Sequence, residues 1–157
     1  MRQRRRLPTM FKFAAFNKAS ADNVFTSKLY SNETFYNAFC CDLKNSKGEV
    51  IIESPFITKS RFDKIFPDVQ KLRMRNIKVT INTRDPVEHN EPYSSYTQKA
   101  TVQLQSIGVL VLYTTKLHRK LAIIDRHMTW EGSLNVLSYG DSCEIMRRIV
   151  AHYDYWV

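Results

Sequence analysis

The chain has 157 residues, 43% of them hydrophobic, which fits one globular domain with a buried core. Its 24 lysines and arginines exceed its 15 acidic residues, and the net charge of +9 favours a polyanionic partner, either nucleic acid or an anionic membrane surface. No apolar run is long enough for a transmembrane helix, so we expect a soluble protein.

The N-terminal segment is basic and has no acidic residue before Asp22. The composition of residues 1–24 therefore predicts a flexible basic arm, which is more commonly a solvated tail than a segment that contacts phosphates, with a mitochondrial targeting peptide and a secretory signal as alternatives. Residues 25–157 are expected to form a single domain. The three cysteines lack the spacing of a disulfide framework or a zinc site, which predicts buried thiols in a cytoplasmic protein.

Helices and strands alternate along the first part of this domain. A capping serine and an apolar stripe predict a helix over 31–45, and an apolar run predicts a strand over 48–56. A second apolar stripe predicts a helix over 58–76, bent or interrupted at Pro67. Alternating apolar and polar residues predict the next strand over 77–84.

The second part of the domain begins after a loop that contains two prolines. A helical pattern from Tyr96 to Ile107 ends at Gly108. The remaining predicted elements are strands over 109–113, 118–125, 127–132 and 143–150 and a short helix over 134–139. This alternation predicts an α/β domain with a mixed, mostly parallel sheet flanked by helices on both faces.

Residues 117–135, LHRKLAIIDRHMTWEGSLN, contain the side chains to which we assign the chemistry. Residues two apart on a strand point to the same face, so His118 and Lys120 are predicted to project together. This pair suits a phosphate, because the lysine holds the anion while the histidine attacks or transfers a proton. Asp125 is expected to point away and to stabilise a turn.

Gly132 and Ser133 lie where the predicted strand meets the predicted short helix. Glycine lets a ligand approach the backbone, and a helix N-terminus binds anions. The Ser133 hydroxyl and the Asn135 amide can donate hydrogen bonds to the same oxygens.

Other histidines and aromatic residues are assigned weaker roles. His127 is expected to be structural and His89 to lie at the surface, and no pair of histidines has the spacing of metal ligands. Four aromatic residues are candidates for stacking on bases: Phe56, Tyr113, Trp130 and Tyr139. Of these, Trp130 is expected to pack in the core instead.

The order and spacing of His118, Lys120, Asp125, Gly132, Ser133 and Asn135 resemble the HKD signature of the phospholipase D superfamily. The resemblance implies a phospholipase D-like domain in which Glu144, on the following strand, orients His118. The catalytic residues it implies are His118, Lys120, Asp125, Ser133, Asn135 and Glu144. The substrate-binding residues it implies are Lys120, Gly132, Ser133 and Asn135.

The resemblance also implies a mechanism and an assembly. A covalent phosphohistidine forms and is cleaved by water, without a metal or cofactor. Small endonucleases of the superfamily have one signature per chain, as here, and pair two subunits about a two-fold axis. We therefore expect a homodimeric nuclease acting on DNA or RNA. A phospholipid-directed hydrolase and a nucleic-acid-binding or processing module of a larger enzyme are the alternatives.

Overall fold

The computed structural model describes residues 25–138 and 143–151. The predicted N-terminal arm, residues 1–24, and Tyr139 lie outside this part of the chain. Its elements are β1 (Phe25–Ser31), α1 (Asn32–Asn45), β2 (Glu49–Glu53), α2 (Lys59–Met74), β3 (Lys78–Thr83), a 3-10 turn (Pro86–Glu88), α3 (Tyr93–Ser106), β4 (Leu110–Tyr113), β5 (Leu121–Ile124), β6 (Met128–Gly132) and β7 (Ile145–Ala151).

The described strands form one mixed sheet in the order β1-β7-β6-β5-β2-β3-β4. The pairs β2–β3 and β3–β4 are parallel, whereas the other four pairs are antiparallel. The α/β fold and the mixed sheet are confirmed, but the expectation of a mostly parallel sheet is wrong. Residues 125–127 join β5 to β6, and so short a turn cannot carry the crossover that parallel strands require.

The described helices pack on one face of the sheet. Alternate strand residues on this face are buried and share a single core with the apolar stripes of α1, α2 and α3, including Val50, Ile52, Ile81, Ala122 and Met146. On the opposite face, Ile51 and Ile123 are half-buried, and Leu29 and Ile145 are exposed. The expected helices on both faces are therefore not found in the described part of the chain.

Trp130 ties the sheet to α1. It is fully buried, and its ring meets Phe35 edge-on at a centroid distance of 5.1 Å. Its Nε1 donates to Asp42 at 2.8 Å, and Arg148 on β7 makes two further hydrogen bonds to the same carboxylate. Core packing of Trp130 is confirmed.

Three local features differ from the sequence prediction. The edge strand β1 was not predicted, since its apolar residues Phe25 and Leu29 are exposed and mark no buried face. The helix α2 continues through Pro67. Cys41 and Cys143 are exposed, so the prediction of buried thiols is wrong for both. None of the described helices is both long enough and apolar enough to span a bilayer.

Candidate active site at the carboxyl ends of the parallel strands

The parallel strands β2 and β3 end at the edge of the sheet where β5 begins. Glu53 pairs with Leu121, and Leu121 pairs with Glu131, so residues just before β5 and just after β6 lie together beyond this row. Open α/β sheets bind ligands outside the carboxyl ends of their parallel strands. The fold therefore brings His118, Lys120 and the turn that follows Gly132 to the edge where a ligand site is expected.

His118 and Lys120 lie in the loop that precedes β5, not on the strand predicted for them. The shared-face argument is therefore wrong in its detail. The two residues are instead coupled through the backbone, because Lys120 Nζ donates to the carbonyl oxygen of His118 at 2.8 Å. His118 is exposed and Lys120 is half-buried, so both remain accessible to a ligand.

Arg84 is a site residue that the sequence analysis did not single out. Its Nε donates to the carbonyl oxygen of Leu117 at 2.8 Å, and its Nη2 lies 2.7 Å from His118 Nε2. Arg84 directly follows β3. A charged residue just beyond a buried parallel strand is the sequence signal that could have identified it. Nothing in the spacing links it to His118, which comes 34 residues later.

Phe56 packs beside Arg84, and His89 packs against Phe56. The guanidinium carbon of Arg84 lies 5.3 Å from the centroid of the Phe56 ring, and the His89 ring lies 5.1 Å from the same centroid. Burial, followed by the charge of Arg84, lowers the pKa of His89. His89 is half-buried in the wall of the site, so its predicted surface position is wrong.

Ser133 and Asn135 follow β6 at the same edge. The Ser133 hydroxyl oxygen accepts from the Ile145 amide at 3.2 Å, so its hydrogen remains available to an anion. The Asn135 side-chain oxygen, which is an acceptor, is buried and has no hydrogen-bond partner among the described residues. The Ser133 hydroxyl can therefore still donate to a ligand, whereas donation by the Asn135 amide stays a prediction.

Glu144 lies directly before β7, and its carbonyl oxygen accepts from the Asn32 amide at 3.1 Å. The contact expected between the Glu144 carboxylate and the His118 ring is not found. Within the described part of the chain, the hydrogen-bond partner of that ring is Arg84. The orienting role of Glu144 stays a prediction.

Gly132 has a packing role. A Cβ atom at this position would lie 2.2 Å from the carbonyl oxygen of Ile145 and 2.9 Å from the Cα atom of Met146. Glycine is therefore needed for the close approach of β7. Gly132 also lines the groove beside Lys120, so the expected approach of a ligand to its backbone stays a prediction. Residues 133–138 form turns, so the expected helix N-terminus is also absent there.

Asp125 lies at the opposite end of β5 and holds the connection between α1 and β2. Its carboxylate accepts hydrogen bonds from the amides of Lys47, Gly48 and Glu49 at 2.9, 2.7 and 3.0 Å, and from the Ser46 hydroxyl at 3.0 Å. Burial acts to raise the pKa of Asp125, but these hydrogen bonds outweigh it and leave the pKa below its ordinary value. The predicted turn-stabilising role fits this geometry, whereas a place among residues that touch substrate does not.

A groove of about 580 Å³ opens beside Lys120 on the face of the sheet that the described helices leave uncovered. Its apolar lining comes from Leu29, Leu121 and Ile145, and its basic lining comes from Arg119, Lys120 and Arg147. Glu53 holds the Arg119 guanidinium at 2.5 and 2.9 Å, and Glu131 holds Arg147 at 2.8 Å. Lysine and arginine side chains thus line a groove that extends away from the candidate site.

The described residues contain no group of three or more His, Cys, Asp or Glu side chains placed to hold a metal ion. The donors that contact His118 are instead the cations Arg84 and Lys120, and the Ser133 hydroxyl lies at the same edge of the sheet. Such donors stabilise negative charge on a phosphate directly.

Residues 39–144, more than half of the chain, match the profile of a family described as "Cardiolipin synthase, PLD-like domain". A search of curated protein sequences found no significant match.

Three solved structures share the fold. The phospholipase D family member Nuc from Salmonella typhimurium superposes with a TM-score of 0.66 at 13% identity, covering 81% of this chain and 84% of that one. NucT from Helicobacter pylori gives 0.62 at 19% identity, covering 80% and 86%. Phosphatidylserine synthase from Haemophilus influenzae gives 0.56 at 13% identity, covering 83% and 36%. At these identities the likeness concerns the fold.

Proposed function

Because the chain belongs to the phospholipase D superfamily, which supports a phosphodiesterase-type function, we propose that it cleaves DNA or RNA through a covalent phosphohistidine on His118. The observation that carries the proposal is the grouping of His118, Lys120, Ser133 and Asn135 where the parallel strands end. This set offers a nucleophile and several groups that bind an anion.

The reaction divides into two displacements. The Nε2 atom of His118 attacks phosphorus, a P–N bond forms, and the bond to one ester oxygen breaks as that oxygen takes up a proton. Water then attacks the same phosphorus, the P–N bond breaks, and the histidine is regenerated with a phosphate monoester as the product. Lys120 and the donors on Ser133 and Asn135 stabilise the charge that develops on the phosphoryl oxygens.

The leaving oxygen needs an acid, and the chain has one signature histidine. We propose that His118 of a second copy supplies the proton in a homodimer with a two-fold axis beside the site. One histidine would then be neutral for attack while the other is protonated. The pH profile would belong to this pair and have a bell shape.

Charge supports nucleic acid as the substrate class. The net charge of +9 attracts a polyanion, and the groove beside Lys120 adds Arg119 and Arg147 within reach of neighbouring phosphates. The arginines are held by carboxylates on the sheet, so little side-chain entropy is lost when they bind. An apolar strip on the groove floor suits the sugar or base of an adjoining nucleotide.

Specific observations also favour a phospholipid-directed activity as the second candidate. The description of the matching family names cardiolipin synthase, and a phosphatidylserine synthase shares the fold. The exposed groove residues Leu29 and Ile145 are apolar enough to meet acyl chains. The two candidates differ in substrate and share the chemistry at His118.

The decisive experiment offers the protein four labelled substrates in excess chelator: single-stranded DNA, duplex DNA, RNA and cardiolipin vesicles. Cleavage of at least one nucleic acid is expected, together with its loss in His118→Ala. His127→Ala is the matched control, because this histidine lies at the opposite edge of the sheet and should leave the rate unchanged. Hydrolysis of lipid alone would overturn the nuclease proposal in favour of the second candidate.

A further inference from the structure

We propose that Arg84, which lies over the His118 ring in the free protein, transfers to a phosphate oxygen when a phosphodiester binds. The inference rests on the function proposed for this site, and it adds a phosphate-binding residue that lies outside the HKD signature.

The contact between the two side chains places a positive charge beside the proposed nucleophile. Arg84 Nη2 lies 2.7 Å from His118 Nε2 and 3.3 Å from Nδ1. A donor in line with the lone pair of Nε2 would lie much farther from Nδ1, so the guanidinium lies against the face of the ring. Arg84 is therefore next to the nitrogen that would attack phosphorus without occupying its lone pair.

A bound phosphodiester would compete with His118 for the Arg84 guanidinium. The guanidinium pairs more strongly with an anionic phosphate oxygen than with a neutral imidazole, because hydrogen bonds between charged groups are about twice as strong as neutral ones. Transfer of Nη2 to the phosphate would hold one of its oxygens beside His118, with phosphorus within reach of Nε2. The positive charge of Arg84 would then stabilise the negative charge that develops on the phosphate oxygens during attack.

The anchoring of Arg84 suits a short movement. Its Nε stays hydrogen-bonded to the carbonyl oxygen of Leu117, and its guanidinium carbon lies 5.3 Å from the centroid of the Phe56 ring. The outer nitrogen is the end that reaches His118, which is exposed at the mouth of the site. A rotation about the fixed end therefore moves the donor without unpacking the side chain.

The test measures binding of phosphate without measuring catalysis. Titration with inorganic phosphate by calorimetry should show affinity reduced about tenfold or more in Arg84→Met. Arg126→Met is the matched control, because Glu49 pairs with that arginine at the opposite end of β5, and it should leave the phosphate affinity unchanged.

An unchanged phosphate affinity in Arg84→Met, or an equal loss in Arg126→Met, would overturn the inference. The readout stands if the protein cleaves no nucleic acid, so failure of the proposed function is distinguishable. If Arg84→Met does not fold, Arg84→Gln gives the same comparison, since it keeps a polar side chain and loses the charge.

Discussion

Replacement of Asp125 by asparagine should weaken folding and spare the chemistry, although Asp125 belongs to the HKD signature. The Asp125 carboxylate accepts four hydrogen bonds from residues 46–49, far from His118 along β5. Its φ of 51° is a left-handed conformation that asparagine tolerates better than most residues. Asparagine keeps one acceptor oxygen, but its amide nitrogen would face the Lys47 amide, which is also a donor.

The magnitude follows from these contacts. Hydrogen bonds to a charged group contribute about 1.5–3 kcal/mol each when they are shielded, and less here because Lys47 and Gly48 are exposed. Loss of one bond and weakening of three should reduce the free energy of unfolding by about 2 kcal/mol. For a chain of this length that corresponds to a fall in Tm of about 4–8 °C.

Thermal unfolding followed by circular dichroism measures this change, with Asp63→Asn as the control. Asp63 forms an exposed pair with Lys59 on α2, and its replacement should cost about 0.5 kcal/mol or less. Because the folded pKa of Asp125 is lowered, its charged form stabilises the fold fully above its ordinary pKa of about 4. The difference between wild type and D125N should therefore shrink as the pH falls through the lower folded value. An unchanged Tm, or lost activity in a fully folded D125N protein, would refute the assignment.

Further predictions concern assembly, metal and salt. When wild type is mixed at random with His118→Ala, activity should follow the square of the wild-type fraction, and a linear dependence would exclude a shared site. Excess chelator should leave cleavage intact, whereas loss with rescue by Mg²⁺ would contradict the proposed donors. Nucleic-acid affinity should fall steeply with salt, and Arg147→Met should reduce the slope of log affinity against log salt by about 1. An unchanged slope would show that Arg147 does not contact a phosphate of the nucleic acid.

The elements predicted correctly from the sequence are those in which the pattern of apolar side chains indicates a buried face. The stripe Phe35, Phe39 and Leu43 lies on α1 and is fully buried, as its spacing indicated. The strand β2 followed from an apolar run and β3 from apolar alternation for the same reason. The turn-stabilising role predicted for Asp125 fits its contacts, although the spacing argument behind it placed His118 on a strand, and β5 begins only at Leu121.

The features that were missed depend on contacts between distant residues. Arg84 reaches His118 across a loop, which no local pattern records. Among the described strands, the edge strand β1 pairs only with β7, and it leaves Leu29 exposed, so its sequence lacks a buried face. Residues 133–138 were predicted to start a helix, but Leu134, Val136 and Leu137 are buried in turns, where apolar residues follow the core without helical spacing.

Direct detection of the covalent intermediate tests the central claim, which is that His118 attacks a phosphodiester of nucleic acid. The protein is mixed with a short oligonucleotide, quenched under basic denaturing conditions that preserve phosphohistidine, and digested for mass spectrometry. A nucleotide adduct on the peptide that carries His118, absent in His118→Ala, is the expected result. Cleavage that persists in His118→Ala, or an adduct on a different residue, would contradict the account.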